Sequence, residues 1–229
     1  MAAYAKSLLA LDTTGRSCSA AVWHGGRVAG QRLELMDRGQ SERLVPLVEA
    51  VLAEAALAFR DLDAIAVTLG PGGFTGVRIG LAAAQGFALA WDLPLLGVSS
   101  FEAVACGIPA SARAGRNLAV LLESKRNDFF LQLFDDGLGV LSAPAALTPA
   151  ELPAALPAGP LLVAGDAATR ARCLLSARGD LSFLPGENAI DAAAVACLAS
   201  GRPLPRDGDA RPAPLYLRAP DVTPPGPRA

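Results

Sequence analysis

Histidine is almost missing: the 229 residues contain one, His24. Paired-histidine metal sites are thereby excluded, and a Ser-His-Asp triad would have to recruit a residue beside Gly25-Gly26 in a hairpin turn, where an imidazole lacks the support that triad geometry requires. Charge is also scarce. Charged residues make up 18% of the chain and nearly cancel to a formal net charge of -2. The whole-protein field that drives non-specific nucleic-acid binding is therefore lacking, and only a local basic patch could replace it. The four cysteines, Cys18, Cys106, Cys173 and Cys197, form no C-x-x-C pair and follow no secretory leader, so they read as core thiols of a reduced, cytoplasmic protein. No apolar run reaches the roughly 18 residues needed to cross a bilayer. The longest, 77–91, carries Arg78 and Gln85, and no membrane association is expected. Residues 1–11 are apolar but lack a charged n-region and a cleavage site, so nothing is expected to be removed.

Apolar mass is what the chain has in quantity. The hydrophobic fraction is 52% and the mean hydropathy +0.37. That suffices for one large domain or two small ones without metal or disulfide staples, and it leaves apolar surface for a partner. Residues 8–11, the polar turn Asp12-Thr13-Thr14-Gly15 and residues 18–23 read as strand, turn, strand, with Gly25-Gly26 opening a third strand over 28–35. From Ser41 the period changes: Leu44, Leu47, Val48, Val51, Leu52 and Ala55 share one helical face, and Pro46 either marks the first turn or kinks the helix near its start. Residues 64–69 read as a buried strand, the glycine-rich run 70–80 heads a helix that ends near Trp91, and 95–98 gives another strand. Three strands, helix, strand, helix, strand is the order of half an RNase H-like or actin-like fold, in which an antiparallel hairpin joins parallel crossover units.

The second half repeats this in outline. Residues 118–122 and 128–134 read as strands joined at Lys125-Arg126-Asn127. Residues 142–160, with five prolines, read as loop with at most one short helix. Residues 161–164 return to strand and 190–200 to helix. The expected organisation is a first unit over 1–105, a second over 106–218 and a flexible proline-rich tail over 219–229.

Several catalytic motifs fail in detail. Gly97-Val98-Ser99-Ser100-Phe101 has Phe101 where a nucleophile elbow needs glycine, and reads as a strand end with a helix cap. Gly76 is followed by Val77 and Arg78 rather than by the lysine and hydroxyl of a Walker A loop, and Thr75 occupies the third glycine position of a dinucleotide fingerprint. What remains for the glycines is backbone geometry. Gly72 and Gly73 permit a sharp turn, and Gly76 and Gly80, four apart, permit close approach to an internal helix, to a helix of another chain, or to an anion at the helix N-terminus. Phe74 is either buried or an exposed anchor. Asp12, Thr13 and Thr14 could orient a hydrated magnesium ion and a nucleotide phosphate, or could simply satisfy their own turn.

These segments together resemble the TsaB (YeaZ) family. The resemblance is carried by Leu9-Ala10-Leu11-Asp12-Thr13-Thr14, by Cys18-Ser19-Ala20-Ala21-Val22-Trp23, by Gln40-Ser41-Glu42-Arg43-Leu44-Val45-Pro46, and above all by Gly70-Pro71-Gly72-Gly73-Phe74-Thr75-Gly76-Val77-Arg78-Ile79-Gly80. Looser matches follow at Leu122-Glu123-Ser124-Lys125-Arg126, Gly165-Asp166 and Pro214-Leu215-Tyr216-Leu217-Arg218. The resemblance implies an α/β fold of two actin/Hsp70-like (RNase H-like, ASKHA) subdomains, each a mixed sheet flanked by helices, the second degenerate. It implies a non-catalytic scaffold of the complex that transfers threonylcarbamoyl to adenosine in tRNA. Such a scaffold binds a TsaD-like catalytic subunit, with a TsaE-like ATPase joining; it self-associates when alone and meets tRNA only through the complex. No intrinsic cofactor is implied, ATP and magnesium being held by the partner subunits. The docking surface would comprise Leu44, Leu47, Val48 and Val51 with Gly72, Gly73, Phe74, Thr75, Gly76, Arg78 and Gly80, while Asp12, Thr13 and Thr14 would be vestigial nucleotide-binding residues. Gln40 stands where many members have histidine, and Glu123-Ser124-Lys125 where they have Asp-Ala-Arg, which weakens a ligand role at either place. The competing reading is an actin-like ATPase or small-molecule kinase built on Asp12, with Glu123 and Asp166 from the second half.

Overall fold

The computed structural model describes residues 3–218 apart from 125, 187 and 207. The expected tail over 219–229 and Lys125 of the second hairpin lie outside the described residues. The opening alternation becomes β1 (Ser7–Asp12), antiparallel to β2 (Ser17–His24), which pairs in turn with β3 (Arg27–Leu35). All six residues of β1 are buried, which is why it reads as a continuous apolar run. After α1 (Gln40–Glu54), β4 (Ala64–Thr68) pairs parallel with β1. After α2 (Phe74–Trp91), β5 (Leu95–Val98) pairs parallel with β4. The sheet order is β3-β2-β1-β4-β5. Pro46 lies inside α1, beyond its first turn, with its ring toward solvent.

Residues 97–101 are indeed a strand end and a cap. Ser99 Oγ accepts from Glu102 N at 3.1 Å and the Glu102 carboxylate accepts from Ser99 N at 3.0 Å, a reciprocal box that starts α3 (Ser100–Gly107). A short α4 (Ala110–Arg113) leads to β6 (Asn117–Glu123) and β7 (Phe129–Phe134), an antiparallel pair. The proline-rich stretch corrects the sequence reading: besides α5 (Leu152–Ala155) it holds a strand, β8 (Ala145–Leu147), antiparallel to β7. Its three half-buried residues between Pro144 and Pro149 give no periodicity to detect, and an edge is where proline-flanked strands survive. β9 (Leu161–Ala164) pairs parallel with β6, and after α6 (Ala168–Leu174) β10 (Leu181–Phe183) pairs parallel with β9. The resulting order β10-β9-β6-β7-β8 repeats the first sheet strand for strand.

Three apolar cores separate the layers. One lies between the first sheet's outer face and α1 and α2, and it contains Leu9, Leu11, Leu44, Leu47, Val48 and Val51. A second lies between the second sheet and α5 and α6, with Leu121, Leu131, Leu152 and Ala171. The third joins the halves: Ala10 and Ala66 of the first sheet meet Phe101 and Val104 of α3, Val195 and Ala199 of α7 (Ala192–Ser200), and Val120 and Phe130 of the second sheet. α7 carries no charge and must therefore bury most of its circumference. Although it falls within 106–218 in sequence, it packs along β1, β2 and β3 of the first sheet and against α3. Ala192 N at its start donates to Ser19 Oγ at 3.0 Å. The chain beyond it stays with the first half: Leu204 N donates to Ala3 O at 2.8 Å and Leu215 N to Leu69 O at 2.7 Å. The expected boundary at 105/106 thus does not separate two compact bodies, because the segment from 192 returns to the first.

The cysteines depart from expectation too. Cys18 is buried, but Cys106 is half-buried and Cys173 and Cys197 are exposed. Among the described residues no helix is long and apolar enough to cross a membrane.

Candidate docking face and the turn beneath it

The glycines at the head of α2 serve the chain itself. Gly73 caps the helix in an extended conformation and its N–H donates to Thr14 O at 2.8 Å. A Cβ at Gly72 would overlap Thr14 O, one at Gly76 would overlap Thr13 O, and one at Gly80 would stand 2.6 Å from Thr13 Oγ1. Thr13 Oγ1 donates to Gly76 O at 2.7 Å. The close approach expected of Gly76 and Gly80 is therefore to the β1–β2 turn of the same chain, and Gly72, expected only to permit a sharp turn, lies against that turn too. Leu44, Leu47, Val48 and Val51 require the same correction. Each is at most 3% exposed, turned into the first core, so the apolar stripe of α1 is not surface on offer to a partner.

Beneath the turn, Asp12, Thr13 and Thr14 are all buried. Asp12 Oδ1 accepts from Thr14 Oγ1 and Thr68 Oγ1, both at 2.6 Å, and from Thr14 N at 3.2 Å. Thr14 Oγ1 also lies 3.1 Å from Ser100 Oγ, which ties the turn to α3. Oδ2 of Asp12 has no hydrogen-bond partner among the described residues. Burial pushes the Asp12 carboxyl up from 3.8 to about 6, against the lowering effect of the three donors, and the negative charge of Asp166 raises it further. The hydroxyls are engaged inside the fold, which is the arrangement expected of a turn satisfying itself. Between the halves, Gly15 and Arg16 face Gly165, Asp166 and Thr169 across a cleft of about 210 Å³. Sites for drug-sized ligands are larger, about 300–1,000 Å³. Glu123, the other second-half carboxylate of the ATPase reading, is held by Arg170, whose Nε lies 2.9 Å from Glu123 Oε1.

The surface of this region is the opposite side of α2. Of the expected interface residues, Phe74, Thr75 and Arg78 are exposed, Gly72, Gly73 and Gly76 are half-buried and Gly80 is buried. The Arg78 guanidinium lies 3.7 Å from the Phe74 ring centroid, and Arg78 Nε donates to Tyr216 Oη at 3.2 Å. The Phe74 and Tyr216 rings are 5.4 Å apart. Along the helix the exposed side continues through Ala82, Gly86, Leu89 and Ala90 to Trp91, with Leu89 83% exposed and open space around Gly86. Trp91 stacks on Phe59 at 5.6 Å, and Val45 on α1 is also exposed. The small residues that the sequence singled out on α2, Gly76 and Gly80, face Thr13 of the same chain. A second stripe, Ala82, Gly86 and Ala90, has the same four-residue spacing as Gly76 and Gly80 but is rotated outward and exposed.

Two copies of one mixed five-stranded sheet, with identical strand order and helices on the flanks, define an actin/Hsp70-like α/β protein. The family profile described as "TsaD: tRNA N6-adenosine threonylcarbamoyltransferase" matches residues 32–184, more than half of the chain. The Escherichia coli tRNA threonylcarbamoyladenosine biosynthesis protein TsaB is 40% identical over 114 residues, 50% of this chain and 49% of that protein. The chain thus spans about half the length of this curated relative. An uncharacterized Mycobacterium bovis protein is 32% identical over 229 residues, 95% of this chain and 94% of its own length. The solved structure of YeaZ from Pseudomonas aeruginosa superposes with a TM-score of 0.73 at 26% identity, covering 93% of this chain and 100% of that one. The chain belongs to the family of that profile and, within it, to the TsaB (YeaZ) proteins.

Proposed function

We propose that this chain acts in the biosynthesis of threonylcarbamoyladenosine in tRNA as a non-catalytic scaffold. It docks a TsaD-like catalytic subunit on the exposed side of α2, a TsaE-like ATPase joins the pair, and ATP and magnesium stay with those partners. Without its partner the chain self-associates through the same face, and it meets tRNA only within the complex. The observation that carries this reading is the long exposed side of α2, where Phe74, Leu89 and Trp91 flank the small residues Ala82, Gly86 and Ala90. Small residues let a second helix approach closely while the larger apolar side chains anchor it.

Light scattering after size-exclusion chromatography, on the chain alone and mixed with its organism's TsaD-like protein, tests the docking. A tRNA-modification assay with and without the chain tests the role. A heterodimer and a modification signal dependent on both proteins are expected; a persistent homodimer with no effect on modification overturns the reading. Gly86→Leu separates docking from folding, because Gly86 faces open space. It is expected to weaken the heterodimer at least tenfold, an energy of about 1.4 kcal/mol.

The actin-like ATPase or small-molecule kinase reading draws on one observation, the unpartnered Oδ2 of Asp12. It is the weaker reading, because Asp12, Thr13 and Thr14 are buried and their hydroxyls and Asp12 Oδ1 are engaged within the fold. ATP turnover by the isolated chain would revive it.

A further inference from the structure

Cys106 lies at the end of α3 and Cys197 in the middle of α7, the two helices that fill the space between the sheets. The helices touch here. A Cβ on Gly107 would lie 3.9 Å from the Cβ of Ala194, and Cys197 follows Ala194 by one turn on the same face of α7. That contact shows α3 and α7 packed closely beside the two cysteines, and a disulfide between them requires their Cβ atoms to come within about 3.5–4.5 Å of each other. Burial, with the neighbouring Cys197 thiol, pushes the Cys106 thiol up to about 11. Both cysteines line one cavity of about 530 Å³, whose wall includes Val104, Ile108 and Asp191. Cys197 is exposed, whereas Cys106 is half-buried. The site is on the face of the first sheet opposite α1 and α2, and it is independent of the docking face proposed above.

We propose that Cys106 and Cys197 form a reversible dithiol–disulfide site that reacts with hydroperoxides and, when oxidised, joins α3 to α7. Cys197, the accessible thiol, reacts first: its thiolate sulfur attacks a peroxide oxygen, the O–O bond breaks, and the leaving hydroxide takes up a proton as water. The Cys106 thiolate then attacks the sulfenic sulfur of Cys197, the S–O bond breaks, a second water leaves and the S–S bond forms. The two thiols lose two electrons and two protons, and hydrogen peroxide gains both. Burial keeps the Cys106 thiol protonated at neutral pH, which suits it to the second, resolving step rather than the first. Closure places the whole second sheet inside one covalent loop that begins on α3 and ends on α7.

The test is disulfide mapping of the full chain, reduced, titrated with hydrogen peroxide, alkylated and digested with trypsin, which leaves the four cysteines in four different peptides. The expected product is a linked pair containing Cys106 and Cys197, two hydrogens lighter than its parts and released by dithiothreitol, with the count of free thiols falling from four to two. Cys106→Ser is expected to leave Cys197 advancing to the sulfinic acid, and Cys197→Ser to leave Cys106 unreacted. Three outcomes on the unmodified chain overturn the proposal: four alkylatable thiols after a dose that oxidises a control dithiol, Cys197 over-oxidised with Cys106 still free, or intermolecular bonds through Cys173 alone. The unmodified chain decides the matter even where a serine variant misfolds.

Discussion

In the first half α1 and α2 run for 15 and 18 residues, while their counterparts in the second half, α5 and α6, run for 4 and 7. The sheets beneath them have the same strand order, and in both halves a glycine of positive φ, Gly70 or Gly165, ends the fourth strand. Covering a five-stranded sheet therefore does not require long helices: short ones suffice when Leu152, Leu156 and Leu175 fill the space. Of the 18 residues in α2, only Val77, Gly80, Leu81 and Ala84 are buried. Ile79, Ala83, Phe87 and Ala88 also pack on the first core, but the outward side through Ala82, Gly86, Leu89 and Ala90 exceeds what the sheet demands, and that surplus suits the docking role proposed for the first half.

The comparison can be broken most forcefully at a glycine in each half that lies hard against neighbouring backbone. Gly76→Leu drives a side chain into the backbone of Thr13 and is expected to cost roughly 3 kcal/mol or more in denaturant unfolding. Gly165→Ala combines a φ of +105° with overlap on Leu121 O and is expected to cost nearly as much. Equal and small effects at both positions would mean that neither turn constrains its half.

Asp12 sharpens the contrast in the other direction. Its folded pKa, about 6, stands above the ordinary 3.8, so the folded state holds the proton more tightly than the unfolded state. Its contribution to stability is then greatest below pH 3.8 and is lost as the pH rises through 6. Asp12→Asn removes that loss and is expected to stabilise the chain by up to about 3 kcal/mol above pH 7, with little difference near pH 4. A flat difference between variant and parent from pH 4 to 8 would contradict the buried, proton-holding carboxyl.

Smaller still is the bracing interaction of the second half. Arg170 pairs with Glu123, donates to Asn127 O and Asp128 O, and lies 3.7 Å from the Phe129 ring centroid. Arg170→Ala is expected to cost about 1–2 kcal/mol in denaturant unfolding, the ion pair being partly exposed. Gly86→Leu closes the series, with a stability change of no more than about 0.5 kcal/mol despite its expected effect on docking.

The first sheet and its two crossover helices were legible in the sequence, because the switch from strand alternation to helical spacing at Ser41 and the glycine run after β4 are strong local signals. β8 was not: its existence depends on β7 offering an edge, a non-local fact. Neither was the destination of α7, since its composition says that it is buried but not against which sheet. At the proposed docking face, Thr75 and Arg78 are exposed, and so is Phe74, for which the sequence left burial and exposure both open. Leu44, Leu47, Val48 and Val51 were misassigned because an amphipathic stripe looks the same whether it faces its own sheet or a partner. Gly72, Gly76 and Gly80 were misassigned because the sequence marks a close approach without naming what approaches.

The return of α7 to the first sheet also orders events during synthesis. Ala10, Ala21, Ala66 and Val98 leave the ribosome early, but the helix that covers them is made only after the whole second sheet. Until residue 200 has emerged, the inner face of the first sheet stays an open apolar surface, so the first half cannot mature as an independent co-translational unit. The nascent chain completes its oldest layer last.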